Sequence, residues 1–294
     1  VYNKNVLAVG EVLYDVIGEV YNLGGAPFNV GAHLAKLGYK SYILSRVGND
    51  QWGENIFAEA KEIGVNTRFL LRHESLPTGT VQVRFEDDEP HYEIKHPVAW
   101  DAIEGDLNQL KSIPWSVVTF GSLAQRDEAN QRFYVRLFEE IEAEWIYFDC
   151  NLRQNFYNKE IIQNSLKLCN IAKFNEDEIR VISSMLYKET LEPADFGARL
   201  VEDYGIQIAV YTWGAEGSKA WYENRLYEAA GVDVELITTV GAGDAFSAGF
   251  LHRLMMGSDI QNALEKGNLL GAYVASHAGA IPEYSGDLRA DMND

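Results

Sequence analysis

Hydrophobic positions along this chain fall into two alternating registers. Short apolar runs, Val6 to Val9, Tyr42 to Leu44, Val117 to Phe120, Ile146 to Phe148 and Ile208 to Tyr211, are separated by longer stretches in which apolar residues recur with helical spacing. Strands alternating with helices predict an α/β fold, a mostly parallel sheet with helices on its faces. One helix is predicted to open near Pro27, to carry Phe28, Leu34, Ala35 and Leu37, and to stop at Gly38; another runs from about Asp50 to Ile63 and stops at Gly64. Proline is tolerated in a first turn because no backbone donor is needed there, and glycine tolerates the left-handed exit.

One stretch breaks the alternation. From Gly79 to Ile94, Val81, Val83 and Phe85 alternate with polar residues, and Asp87-Asp88-Glu89-Pro90 then turns the chain towards Tyr92 and Ile94, the pattern of a hairpin. A hairpin has no place inside a parallel sheet, so it is expected to project as a lid or a dimer contact, or to lie as an ordinary edge hairpin. With no internal repeat or linker, the 294 residues read as one large domain, residues 1–294.

Composition narrows the function classes. The hydrophobic fraction of 47% and only seven prolines exclude a disordered or fibrous chain. A net charge of −19 repels nucleic acid and anionic membrane surfaces at long range, so neither is an expected partner. A nucleotide is still admissible, because Mg²⁺, backbone N–H groups and a helix N-terminus supply local positive potential. The only cysteines, Cys150 and Cys169, form no C-x-x-C pair, so both are expected as reduced thiols in a cytoplasmic protein. The start of the chain leads straight into a strand-like run, and nowhere do about eighteen apolar residues follow one another, so no targeting or membrane segment is expected.

The densest chemistry lies late in the chain. Leu236 to Val240 is strand-like, Gly241-Ala242-Gly243 is flexible, and Ala245 to Met256 is helical with Phe246, Phe250, Leu251 and Leu254 on its apolar side. The N–H groups of Gly241, Ala242 and Gly243 would converge at that helix N-terminus as an anion hole. Asp244 at its mouth suits a general base that orients a substrate hydroxyl and takes its proton. Read alone, the same residues fit equally a tight turn with Asp244 as a cap. Near the other end, Asp15, Gly24-Gly25 and Asn29 would set a carboxylate, a close backbone and an amide around one polyol, or be no more than a loop aspartate and a helix-surface asparagine.

Gly24-Gly25-Ala26-Pro27-Phe28-Asn29-Val30-Gly31 and Val240-Gly241-Ala242-Gly243-Asp244-Ala245-Phe246 together resemble the two signatures of the ribokinase-like (PfkB) carbohydrate kinases, in the right order. Gly10 to Asp15, Ser45 to Gly53, Asn175 to Glu178 and Thr212 to Gly217 resemble that family as well. The resemblance implies a three-layer sandwich with a central sheet and a small β lid from segments around 12–23 and 67–98. It implies an ATP-dependent phosphotransferase in which Asp244 is the base and Gly241, Ala242 and Gly243 the anion hole. Asn175 and Glu178 would organise Mg²⁺ and phosphate, Glu178 reaching the metal through water. Thr212, Gly214, Gly217, Gly243 and Asn268 would line the ATP side, and Asp15, Gly25 and Asn29 the sugar side.

Phe120 to Arg126 and Phe148 to Gln154 resemble the fructokinases of the family, which adds Asn151 and Arg153 to the sugar side, beside Asp149. Asp149, Asn151 and Arg153 follow a strand end, where open α/β sheets place ligands, although a structural ion pair fits them too. Thr80 and Trp100 are substrate contacts or packing. Fructose is thus the expected acceptor, with 2-keto-3-deoxygluconate, ribose or, further off, a nucleoside as alternatives, and a non-catalytic sugar-binding homologue as the reading from another class. Relatives commonly carry Asp-Thr where this chain has Thr238-Thr239, and that aspartate helps hold a monovalent cation, so K⁺ dependence is left open. A homodimer through the β lid follows by analogy. The six histidines form no metal cluster, and His91 and His96 are expected to be solvated.

Overall fold

A computed structural model describes residues 2–18, 20–86 and 89–294. The turn expected at Asp87-Asp88 lies outside the described residues, as does the environment of His91. The chain divides into two compact units, Val1–Trp115 with Ala124–Glu142, and Ser116–Leu123 with Ala143–Asp294.

In the first unit, β1 (Asn5–Val9) pairs in parallel with β4 (Lys40–Gly48), and β4 with β5 (Leu70–His73). Val6 to Val9 are fully buried, as a continuous apolar run in a parallel strand requires. A second, four-stranded sheet has the order β3-β2-β6-β7, from β2 (Leu13–Ile17), β3 (Val20–Gly24), β6 (Gly79–Glu86) and β7 (Glu89–Ile94). The hairpin read from the 79–94 pattern is the β6–β7 pair, and β2 runs parallel to β6. β5 falls within the span 67–98 but pairs with β4.

Helix α1 (Ala26–Lys36) opens with Pro27 in its first turn and exits through Gly38 at φ 97°. Helix α2 (Gln51–Ile63) is capped by Asp50, whose carboxylate accepts the Gly53 N–H at 2.9 Å, and ends at Gly64 in the left-handed region. The unit is completed by α3 (Leu107–Lys111) and α4 (Glu128–Glu140). A buried ion pair joins Arg126 Nε to Asp101 Oδ1 at 2.7 Å, each side chain 2% exposed. The Arg126 guanidinium lies 4.0 Å from the centre of the Trp100 ring. Trp100 is fully buried, and a Cβ on Gly79 would sit 2.1 Å from its Nε1, so both residues belong to packing in this unit.

The second unit carries six strands in the order β13-β12-β11-β10-β9-β8: β8 (Trp115–Gly121), β9 (Ala143–Asp149), β10 (Ile171–Asn175), β11 (Ile208–Thr212), β12 (Gly217–Tyr222) and β13 (Arg225–Ala230). β9, β10 and β11 are parallel, while β12 and β13 run antiparallel at the edge. Its helices are α5 (Lys159–Leu168), α6 (Glu176–Tyr187), α7 (Pro193–Tyr204), α8 (Ala242–Met255), α9 (Ile260–Ala275) and α10 (Gly286–Asn293). No helix among the described residues is long and apolar enough to cross a membrane.

α8 and α9 touch through glycines. A Cβ on Gly249 would lie 2.7 Å from the Lys266 carbonyl, and one on Gly267 would lie 2.8 Å from the Phe246 ring. Side chains there would force the helices apart, which is why these positions are glycine.

The strand expected over Leu236 to Val240 does not form. The N–H groups of Ile237 and Thr238 both donate to the Ala275 carbonyl at the end of α9, at 2.8 and 3.1 Å, which uses the donors a strand partner would need. Leu236, Ile237 and Val240 stay 54–64% exposed, so apolar character alone did not mark a buried strand here.

His252 on α8 makes the second unit sensitive to acid. Its ring is buried, with Nε2 3.0 Å from the Met292 carbonyl, and burial pulls its pKa down to about 4. Between pH 6.5 and 4 the unfolded chain therefore takes up a proton that the folded chain refuses, so stability falls as pH drops through that window. Full expression of the shift corresponds to about 3 kcal/mol. Urea titrations at pH 7 and pH 4.5 are expected to show a smaller pH-dependent loss for His252→Gln than for the parent chain.

Candidate active site

Asp244 stands in the first turn of α8, the only acidic residue there. Gly241 caps the helix at φ 80°, a conformation that L residues adopt at a cost, and a Cβ on it would lie 2.6 Å from that of Ala280. In a helix the first N–H groups have no partner within the helix, and here one of them is turned away: Ala242 donates back to the Thr239 carbonyl at 3.3 Å, while Ala245 starts the regular ladder on Gly241 at 2.9 Å. The Gly243 peptide follows at this N-terminus, where the helix dipole favours an anion. Of the expected trio Gly241, Ala242 and Gly243, Ala242 is the member already engaged.

Beside this turn opens a cavity of about 610 Å³. Its lining unites Thr212, the last residue of β11, and Gly214 just beyond it with Gly217, Gly243 and Asn268, residues spread over nearly sixty positions of sequence. Gly217 holds φ 108°, and a Cβ there would lie 2.2 Å from the Ala229 carbonyl, so only glycine lets β12 start this close to β13. Asn268 has a structural share as well: its Nδ2 donates to the carbonyls of Ala229 and Ala230 at 3.1 and 3.0 Å, which pins β13 to α9. Asn175 is not among the lining residues. It caps α6, accepting the Glu178 N–H at 2.9 Å, while Glu178 accepts the Asn175 N–H in return at 2.8 Å.

Glu178 is 4% exposed and also accepts the Leu152 N–H at 2.8 Å. Burial, reinforced by the Asp149 charge, pushes its pKa up despite the opposing Lys173. Both oxygens thus hold backbone. Among the described residues no group of three or more His, Cys, Asp and Glu side chains is arranged to hold a metal. This donor set fits a hard cation carried in by nucleotide phosphates and water, not a cage of protein ligands.

Asp149 ends β9 facing inward, where its carboxylate takes both Lys173 Nζ contacts, at 2.9 and 3.0 Å. The structural ion pair is the reading that holds for Asp149. Asn151 and Arg153 follow on the connecting segment, Asn151 at φ 40° and Arg153 exposed. Lys173 was missed by the sequence reading. A lone lysine in the run Ile-Ala-Lys-Phe-Asn looks like an outward strand position, and only its partner 24 residues away shows that it points inward.

In the first unit, Asp15 lies on β2, opposite Asn22 of β3, and a Cβ on Gly24 would be 3.0 Å from its Oδ2. Gly25 caps α1 at φ 110°, where a Cβ would meet the Glu11 carbonyl at 2.4 Å. Asn29 follows one turn later, 5% exposed, its N–H donating to the Gly25 carbonyl at 2.8 Å. A carboxylate, a side-chain-free backbone and an amide are thereby gathered at the start of α1, the groups a polyol calls for. Thr80, 8% exposed, sits on β6 in register with Tyr14.

The chain is similar to known carbohydrate kinases over nearly its whole length. The description "pfkB family carbohydrate kinase" matches residues 3–285. A putative sugar kinase of Pyrococcus horikoshii, PH1459, is 27% identical, with 94% of this chain and 91% of that protein covered. Its crystal structure in complex with ATP superposes with a TM-score of 0.78 at 25% identity, covering 94% of each chain. A fructokinase of Escherichia coli is 29% identical over 85% of this chain and 84% of its own. A 5-dehydro-2-deoxygluconokinase of Clostridium perfringens is 25% identical over 87% and 79%. The match spans both signatures and nearly the whole length, and the chain belongs to the pfkB family of carbohydrate kinases.

Proposed function

We propose that this chain transfers the γ-phosphoryl group of ATP to a sugar hydroxyl, with fructose as acceptor and fructose 6-phosphate as product. The observation that carries the reading is the turn at Gly243-Asp244, where a helix N-terminus and a carboxylate stand beside a cavity of nucleotide size. Asp244 would orient the acceptor hydroxyl and take its proton as the O–P bond forms, while Gly241 to Gly243 stabilise charge on the transferred group. Thr212, Gly214, Gly217 and Asn268 would hold the nucleotide, Asn175 its phosphate end. Asp15, Gly25, Asn29, Asn151 and Arg153 would bind the sugar. Mg²⁺ would enter with ATP and shield its phosphates, with Glu178 reaching it through water. The reading includes a cytoplasmic protein that pairs as a homodimer through the β2-β3-β6-β7 sheet.

A sugar-acid acceptor such as 2-keto-3-deoxygluconate is the second reading. It is favoured by the exposed Arg153 guanidinium, which suits a carboxylate, and by the likeness to a 5-dehydro-2-deoxygluconokinase. ADP release measured over fructose, ribose and 2-keto-3-deoxygluconate separates them: fructose is expected to give the highest kcat/KM. The hydroxyl of Thr238 accepts the Val240 N–H at 3.1 Å, a local turn with no anionic oxygen, so omission of K⁺ is expected to change the rate by less than about threefold, short of the effect of losing one charged ligand. Fructose binding without ADP release under any cation would support the non-catalytic alternative.

A further inference from the structure

Lys173 and Asp149 are 6% and 4% exposed, and their ion pair lies behind the turn that holds Asp244. A Cβ on Gly243 would be 3.6 Å from Lys173 Nζ, so the ammonium sits directly against the backbone of that turn. Ser247, one helical turn on, brings its Oγ within 3.0 Å of Asp149 Oδ2 and 2.9 Å of the Gly243 carbonyl, and accepts the Tyr147 hydroxyl at 2.9 Å. Its single proton serves Asp149 or Gly243 at any one time, while Tyr147 fills its acceptor side. Burial and the Asp149 charge push the Tyr147 phenol well up, which keeps it a donor.

The placement is unfavourable in isolation. A helix N-terminus carries positive potential, and a buried cation against it is repelled as well as desolvated. Burial does pull Lys173 down, but the charges of Asp149, Glu178 and Asp244 outweigh that pull and its pKa stands above the usual lysine value. One of those three carboxylates, Asp244, is in the turn itself. The cation is thus held charged directly beside the turn where phosphoryl charge would arrive.

We propose that Lys173 is a positioning residue of the phosphoryl-transfer turn: it fixes positive potential behind Gly243-Asp244 and, by satisfying the Asp149 carboxylate, leaves the Ser247 proton to hold the Gly243 carbonyl. The inference rests on the reading of that turn as the reaction centre. It predicts that the charge, and not only the packing, of the pair matters.

The test removes the pair as a unit. Lys173→Met alone leaves Asp149 buried without its cation and is expected to unfold at lower temperature, so Lys173→Met/Asp149→Leu, which replaces both charges by apolar groups, is the informative variant. Its thermal midpoint is expected to return close to that of the parent chain. Its kcat is expected to fall about 100-fold while KM for the sugar changes less than about threefold, the split typical of lost transition-state stabilisation. Its affinity for the β,γ-imido analogue of ATP, read by calorimetry, is expected to weaken about tenfold, in keeping with loss of one charge at a phosphate site. Lys173→Arg, which keeps the charge, is expected to retain more turnover than the double variant. A double variant with the parent's kcat overturns the inference and leaves the kinase reading standing. Should the parent chain phosphorylate no sugar, the kinase reading fails, and unchanged analogue affinity in the double variant then overturns this inference by itself.

Discussion

Asp244→Asn is expected to lower kcat by about 10² to 10⁴-fold, the span of a lost general base. The substitution keeps the size of the side chain and the helix start, so fructose affinity is expected to stay within about threefold, an isosteric change at a half-buried position disturbing little else. Measured together, turnover by coupled ADP release and sugar binding by calorimetry separate loss of chemistry from loss of fold. Near-normal turnover in this variant would remove Asp244 from the base role, whatever the sugar proves to be.

The largest effect on stability is expected at Asp101. Asp101→Asn deprives the buried Arg126 of its carboxylate, and breaking such a pair from one side costs about 3–5 kcal/mol, because a charge is left without compensation in a medium that solvates it poorly. Asp101 also accepts the Val98 N–H at 2.8 Å, so the loss spreads to the turn that carries Trp100. Arg126→Met introduced beside Asp101→Asn is expected to restore more than half of the loss in urea titrations. A single variant as stable as the parent would show that the pair contributes nothing. Salt leaves both results nearly unchanged, since ions screen exposed pairs far more than buried ones.

Local chemistry was legible in the sequence wherever one residue decides the backbone. Pro27, Asp50, Gly38 and Gly64 mark helix ends by φ or by a side-chain cap, and the alternation at Val81, Val83 and Phe85 marks the hairpin. Gly241 to Asp244 stood out for the same reason, since a left-handed glycine and an acidic first turn are local properties. What depended on partners far along the chain was hidden. The role of Lys173 is set by Asp149, 24 residues earlier, and Ser247 meets Asp149 across 98. Leu236 to Val240 misled because strand propensity describes side chains, while the Ala275 carbonyl had already claimed the backbone donors. The anchoring of Glu178 was hidden as well, since only the fold shows its oxygens accepting the N–H groups of Leu152 and Asn175.

The glycine contacts between α8 and α9 set limits on how this protein can be re-engineered. Gly249 and Gly267 let the two helices meet almost backbone to backbone, so neither slides without the other, and Asp244 and Asn268 ride on what is in effect one lever. Under the proposed nucleotide site, a substitution at Asn268 is therefore felt by α8 as well as by α9. Asp15 and Asn29 stand on β2 and α1, outside that lever. Under the proposed sugar site, a library that seeks a new acceptor is best confined to those positions, which leave the α8–α9 contact untouched.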